Sequence, residues 1–358
     1  MAENKAIRVI VVDDSALFRT AISRGLKEKE NIEVLATAIN AQDAEEKILR
    51  MEPDVVTLDV EMPGTNGLEF LKGFLPKHPI RAVVVSAADG IVFEAMHAGA
   101  VDFVAKPEPG QLTGFIDSLA EKIRAAQLAK MPVVSSTGMR QTLSPASGSN
   151  TNLTRNMSLG GKWDPKTLIA IGASTGGTEA ISKVLQALPG DMPGIVITQH
   201  MPPVFTRMYA ERLNRECALT VREASDGVVI APGMAFVAPG DRQMRVTKRG
   251  DGYAVKLGET EKTSGHCPSV DVLFNSMSTA AGGKGIGIIL TGMGADGAKG
   301  MVEMRRAGAY TIGQDQQSSV VYGMPMEAMK QGGVIRQASL DMIPSVLINQ
   351  LKMQGRTK

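Results

Sequence analysis

In the first third of the chain, short runs of β-branched and aliphatic residues alternate with longer segments whose apolar residues recur every three or four positions. The short runs fit buried strands and the longer segments fit amphipathic helices. Strands are predicted at 7–12, 32–37, 54–58, 82–85 and 101–104, with helices at 16–28, 41–50, 68–75 and 112–127. In the last helix Leu112, Phe115, Ile116, Leu119 and Ile123 share one face. Five β/α units in series predict a parallel sheet covered on both faces, because parallel strands need crossover connections. This first domain spans 6–125.

The pattern then breaks. Residues 126–163, which include SSTGMRQTLSPASGSNTNLTRNMSLGG, show little apolar periodicity and read as a mobile linker. Over 164–354 the alternation resumes, with buried-type strands at 167–171, 195–199 and 285–290, each followed by a helical segment. Short strands at 235–237, 244–247 and 253–257 surround turn residues, including GDG at 250–252. The second domain is therefore expected to be doubly wound, mostly parallel α/β with an antiparallel insertion.

Composition removes several classes of function. Two domains fit a length of 358 residues at roughly 150 residues per domain. Apolar runs stop after a handful of residues, far short of the roughly 18–20 that cross a bilayer, so no membrane insertion is expected. Glu3 and Asn4 precede a strand-like run rather than a secretory leader. Cys217 and Cys267 form neither a metal-ligand spacing nor a disulfide framework, and the cytoplasm is the expected compartment. Aromatic residues make up only 4%, which weighs against base-stacking platforms for nucleic acid. The net charge of +2 divides into about −6 over residues 1–125 and about +8 beyond them. That mild basicity is too weak for DNA binding, and no nucleic-acid partner is expected.

Candidate chemistry gathers at strand ends, where parallel sheets bind ligands. Asp13 and Asp14 end the first strand and Asp59 the third. Three close carboxylates repel one another unless a cation lies among them, and oxygen-only ligands suit Mg²⁺. Ser86 ends the fourth strand and Lys106 the fifth. A hydroxyl and an ammonium facing such a site could neutralise and hydrogen-bond the oxygens of a phosphorylated aspartate. Singly, each residue reads as a cap or a surface group. Over 6–125, the pieces VVDDS, LDVEMPGTNGLEFL, VVVSA and DFVAKP resemble the receiver domain of bacterial two-component response regulators. The resemblance implies a flavodoxin-like (βα)5 fold, Asp59 as phosphoryl acceptor, and Mg²⁺ held by Asp13, Asp14, Asp59 and the Glu61 backbone carbonyl. It further implies Ser86, Phe103 and Lys106 as switch residues and a cis Lys106–Pro107 peptide.

In the second domain GASTGG, residues 172–177, follows a strand and opens a helix. Its small residues permit a sharp turn, and backbone N–H groups at the helix start can face an oxyanion. The dinucleotide fingerprint fails because Ser174 stands where its second glycine belongs, whereas the esterase pattern G-x-S-x-G matches at 172–176. Only His200 and His266 lie in this domain; His200 ends the strand GIVITQH and His266 lies in the polar loop TSGHCPS. Asp296, in the glycine-rich TGMGADG after a third strand, could orient an imidazole or cap the helix that follows it. The order Ser174, His200, Asp296 excludes a standard α/β-hydrolase.

GASTGG, ITQHMPP, APGMAFVAPGDR, HCPSVDVLF and TGMGADGAKGM look like the catalytic domain of the chemotaxis protein-glutamate methylesterases (CheB). The resemblance covers about 166–353 and implies Ser174, His200 and Asp296 as a triad, with backbone N–H groups of Thr175 and Met293 assisting the oxyanion. It leaves His266 substrate-side or structural. The chain departs from the family at Met234 and Gln243, where relatives often place histidine. Implied is hydrolysis of glutamyl γ-methyl esters and deamidation of glutamines on methyl-accepting chemotaxis receptors, with no metal in this domain. A chemotaxis histidine kinase would be the phosphodonor, phosphoryl transfer to Asp59 would relieve inhibition by the receiver, and the chain would be a monomer. Competing readings are a regulator with a DNA-binding output and a non-catalytic adaptor.

Overall fold

The structure, a computed structural model, describes residues 5–131 and 163–355 except 63, 65, 88, 89 and 109. Two compact units lie on either side of residues 132–162. Most of the stretch read as a linker thus falls outside the described residues.

The first unit runs β1 (Ile7–Val12), α1 (Ala16–Lys27), β2 (Ile32–Ala38), α2 (Ala41–Met51), β3 (Val55–Asp59), α3 (Gly67–Phe74), β4 (Arg81–Ser86), α4 (Ile91–His97), β5 (Asp102–Ala105) and α5 (Leu112–Leu128). All strand pairings are parallel, in the order β2-β1-β3-β4-β5. The central strands are buried on both faces because helices cover both. Val9, Ile10, Val11 and Leu58 are fully inaccessible. Helix starts follow their caps: Ser15 Oγ accepts from Phe18 N for α1, and Asn40 Oδ1 accepts from Asp43 N for α2. Helix α5 continues into the stretch read as linker, since Ala125, Ala126 and Ala129 are still buried.

The second unit contains β6 (Leu168–Ala173), α6 (Gly177–Gln186), β7 (Ile195–Gln199), α7 (Pro203–Glu216), β8 (Thr220–Glu223), β9 (Val229–Ile230), β10 (Met234–Val237), β11 (Met244–Arg249) and β12 (Gly252–Leu257). There follow α8 (Val270–Ala280), β13 (Gly285–Ile289), α9 (Ala298–Arg306), β14 (Tyr310–Gln314), α10 (Met324–Lys330), β15 (Arg336–Ala338) and α11 (Ile343–Gln354). Seven strands form one sheet in the order β15-β14-β13-β6-β7-β10-β8, and every pairing in it is parallel. Among the described strands, antiparallel pairing occurs in the small sheet β11-β12-β9, and an isolated antiparallel bridge joins Thr263 to His266.

Two expectations are corrected. The run at 235–237 is not part of the antiparallel insertion; as β10 it lies in the main sheet between β7 and β8. Its apolar Ala235, Phe236 and Val237 are buried there between the sheet's covering layers, whereas the antiparallel sheet is built from β9, β11 and β12. Among the described residues the one cis peptide is Cys267–Pro268, so Lys106–Pro107 is trans. Lys106 reaches its partners regardless, its amide donating to Ser86 O and its ammonium to Asp59.

Candidate active site and acidic pocket

In the first unit the sheet order reverses between β1 and β3, and carboxylates stand at the carboxyl ends of both strands. One oxygen from each of Asp13, Asp14 and Asp59 lies within 4.8 Å of the others. Asp13 and Asp59 are buried and Asp14 is exposed. Lys106 Nζ donates to Asp59 Oδ2 at 2.6 Å and stands 3.8 Å from Asp13 Oδ2. Burial, then the charge of Asp59, pushes the Asp13 carboxyl up to about 6, although the Ser15 amide and Lys106 pull the other way. Burial lowers the Lys106 ammonium pKa, but the hydrogen bond and charge of Asp59 outweigh it and hold it above the ordinary lysine value. Asp13 Oδ2 and Ser86 Oγ are both buried without a hydrogen-bond partner. Hard oxygen donors with two such atoms fit a divalent cation of the Mg²⁺ kind. The Glu61 amide donates to Asp59 Oδ1 at 3.0 Å. Phe103 is buried edge-on against Phe93, 6.2 Å between centroids.

In the second unit the sheet turns at β6 and β13, since the chain leaves β6 toward β7 and leaves β13 toward β14 on the other side. Ligands of open α/β sheets bind outside such a point. Ser174 follows β6, His200 follows β7 and Asp296 lies on the loop after β13. Ser174 and His200 end neighbouring strands, Ala173 being paired with Gln199 and the His200 amide donating to Ala173 O at 3.2 Å. His200 Nε2 is 2.8 Å from Asp296 Oδ2. The other ring nitrogen, Nδ1, is buried without a hydrogen-bond partner, so the Ser174 hydroxyl is not bonded to the ring. The structure thus joins the acid and the imidazole and sets the serine on the neighbouring strand end without a bond to the ring.

Asp296 does not cap the helix it precedes, because Gly297 occupies that position. Its carboxylate instead seats on the start of α8, accepting from Ser269 Oγ at 2.7 Å, Val270 N at 2.7 Å and Asp271 N at 3.0 Å. Burial alone would raise its pKa, but the bond from His200 and these donors hold it below the ordinary carboxylate range. The favour is returned by Asp271, whose Oδ1 accepts from Gly300 N at 2.7 Å in the first turn of α9. The two helices thus bind each other's N-terminus.

His266 lies flat on His200, ring centroids 3.8 Å apart and planes 13° from parallel. Its loop is pinned by the buried Gln243, whose Nε2 donates to Glu261 O and His266 O while Oε1 accepts from Ser269 N. Met234 opens β10, where it is half-buried against the hydrophobic core. At the turn after Ser174, Gly176 is left-handed, φ 75°, between the buried Thr175 and the start of α6. The Ser174 amide donates to Thr291 O, and Thr291 Oγ1 lies 3.0 Å from Thr175 O. Met293 is half-buried, one residue beyond Gly292, where a Cβ would collide with the Met324 sulfur and Ser174 Cβ.

Sequence reasoning missed Ser269, Gln199 and Thr291, and singled out Gln243 only as a departure from the family, not for the contacts it makes. Ser269 carried a usable signal, a serine directly before an apolar-periodic run with Asp271 in its first turn. The amides and the threonine carried none, since their roles depend on contacts between remote segments.

Fold and sites together define a receiver domain joined to an α/β domain with an Asp–His pair beside an elbow serine. The description "CheB methylesterase" matches residues 169–347, and "response regulator receiver domain" matches residues 9–117. A protein-glutamate methylesterase/protein-glutamine glutaminase 2 of Syntrophomonas wolfei subsp. wolfei is 45% identical over 97% of this chain and 99% of its own length. A protein-glutamate methylesterase/protein-glutamine glutaminase of Pectobacterium atrosepticum is 44% identical over 96% of this chain and 97% of its own. The crystal structure of the Thermotoga maritima CheB methylesterase catalytic domain superposes with a TM-score of 0.50 at 34% identity, covering 51% of this chain and 98% of that domain. The chain belongs to the CheB methylesterase family.

Proposed function

We propose that this chain is a phosphorylation-controlled serine hydrolase that cleaves glutamyl γ-methyl esters, and deamidates selected glutamines, on the cytoplasmic parts of methyl-accepting chemotaxis receptors. The observation that carries the proposal is the His200 Nε2–Asp296 bond at a strand end next to the Ser174 turn. Because Nε2 is committed to Asp296, Nδ1 is the nitrogen that acts as base. Rotation of the Ser174 side chain as substrate enters brings the hydroxyl to it. The Ser174 oxygen then bonds to the ester carbonyl carbon while its proton passes to His200 Nδ1. Backbone N–H groups of Thr175 and Met293 receive the oxyanion. Collapse breaks the bond to the methoxy group, which leaves as methanol with the proton from His200. Water activated by the same nitrogen releases the glutamate carboxylate and restores Ser174. With glutamine the leaving group is ammonia and the tetrahedral centre is otherwise alike. Asp296 holds the imidazole and stabilises its cationic form. Stacking on His266 keeps the ring from swinging.

In the receiver, Asp59 is the proposed phosphoryl acceptor and a histidine kinase of the chemotaxis system the donor. Asp13, Asp14, Asp59 and the Glu61 carbonyl would hold Mg²⁺, which when bound supplies positive charge to offset the phosphoryl oxygens. Lys106 and Ser86 bind those oxygens, and Phe103 with Ser86 carries the change onward. The cytoplasm is the proposed compartment, and among the described residues no helix is long and apolar enough to cross a membrane.

The test is methanol release from methylated receptor membranes by the intact chain and by Ser174→Ala, each with and without acetyl phosphate and Mg²⁺. We expect release by the intact chain, a rise with acetyl phosphate, and a loss of at least about 10³-fold in the variant. Equal release by the two proteins would remove the hydrolase assignment. Equal rates with and without Asp59 modification would remove the control by the receiver.

A further inference from the structure

We infer that Gln199 is a positioning residue that aims the oxyanion-binding peptide, an inference that rests on the hydrolase reading above. Gln199 is the last residue of β7, is 3% exposed, and directly precedes His200. Its Nε2 donates to Ser174 O at 2.9 Å and lies 3.3 Å from His200 O. Both acceptors are carbonyl oxygens, so only the NH₂ end of the amide can face them, which fixes its orientation. One side chain thereby ties the turn of the nucleophile to the turn of the base.

The consequence follows from peptide geometry. In a trans peptide the C=O and N–H groups point in opposite directions. Ser174 O and Thr175 N belong to the same peptide. Drawing Ser174 O toward Gln199, and toward the Gly177 amide that donates to it at 2.7 Å, directs Thr175 N–H the other way. The Thr175 N–H is the oxyanion donor in the proposed mechanism, so Gln199 sets its direction before substrate arrives. Preorganised donors of this kind account for much of the rate in acyl transfer because nothing has to reorient during the reaction. Position 177 is built around the same contact. A Cβ there would run into Gln199 Oε1 and Ala173 Cβ, so the glycine that opens α6 also leaves room for the amide.

Gln199→Met keeps the size of the side chain and removes both donors. Gly177→Ala disturbs the same contact from the opposite side by driving a methyl into the amide. With the full chain and a peptide carrying a glutamate γ-methyl ester, we expect each variant to lose about 10- to 100-fold in kcat, somewhat less than deletion of a donor. KM should stay within about threefold and the pH dependence of kcat/KM should not move, since His200 and Asp296 are untouched. A purely structural role predicts a lower melting temperature with wild-type kcat per folded molecule. A folded Gln199→Met enzyme with kcat within threefold of wild type overturns the inference. Should that variant fail to fold, wild-type kcat in Gly177→Ala overturns it equally. Inactivity of the wild-type chain itself, by contrast, would sink the hydrolase reading and this refinement with it, whereas an active wild type with an equally active variant sinks the refinement alone.

Discussion

The two units solve opposite electrostatic problems with the same architecture. Both are parallel sheets with carboxylates at strand ends beside a reversal of strand order. In the receiver the carboxylates crowd together, one lysine serves two of them, and Asp13 is pushed up to about 6. In the catalytic unit Asp296 collects a helix start, a hydroxyl and an imidazole and is held below its ordinary value. Burial opposes both charges; what differs is that like charges add to it at Asp13, whereas hydrogen-bond donors and the imidazole offset it at Asp296. The first pocket is left electrostatically incomplete and so invites a cation. The second is complete, which suits an acid whose task is to stay ionised and still.

The comparison breaks most visibly at Asp296. Asp296→Asn should lower kcat in ester hydrolysis by about 10³- to 10⁴-fold, because an amide neither fixes the tautomer nor stabilises the imidazolium. The depressed pKa of Asp296 contributes stability above the ordinary carboxylate value, and that contribution is lost as pH falls through the lower folded value. Acid unfolding followed by circular dichroism should therefore show a shallower acid limb in the variant; an unchanged limb would mean that the donors around Asp296 do not hold its charge.

A smaller effect is expected from the opposite pocket. With its pKa raised to about 6, Asp13 retains a proton at pH 5 that must leave before a cation can enter. Mg²⁺ binding to the full chain, measured by titration calorimetry, should be about tenfold weaker at pH 5.0 than at pH 7.5. Asp13→Asn should weaken binding at pH 7.5 and flatten this dependence. Affinity that does not change with pH would contradict the incomplete-pocket account.

The smallest effect sharpens the contrast. Ser269→Ala removes one of the donors to Asp296 and the cap of α8. We expect a loss of about 1 kcal/mol in stability and about three- to tenfold in kcat/KM, because the backbone donors remain. A loss as large as that of Asp296→Asn would show that the hydroxyl, and not the helix start, governs the acid.

Much of this was legible in the order of residues. The receiver's strands fell within a residue or so of their predicted ends, because β-branched runs buried on both faces have no polar alternation to blur them. That Ser174, His200 and Asp296 stand at strand ends was legible because each follows a buried-type apolar run. The strands β8, β9, β14 and β15 were not read; β8 and β15 are the edges of the main sheet, where Thr220, Arg222, Arg336 and Gln337 put polar side chains and hydrophobic pattern weakens. The short run that became β10 carried no sign of parallel or antiparallel pairing, which is decided by partners far away in the chain. The same limit hid Gln199 and the contacts of Gln243, whose amides matter only through backbone groups that the fold delivers to them.

The mutual seating of α8 and α9 has a mechanical consequence. Asp296 belongs to the loop before α9 yet holds α8, and Asp271 belongs to α8 yet holds α9. Neither carboxylate can shift without loosening the opening turn of a neighbouring helix. Whatever rearranges when substrate enters must then be the serine hydroxyl or the arriving carbonyl, with the acid acting as a fixed anchor that keeps the imidazole in place.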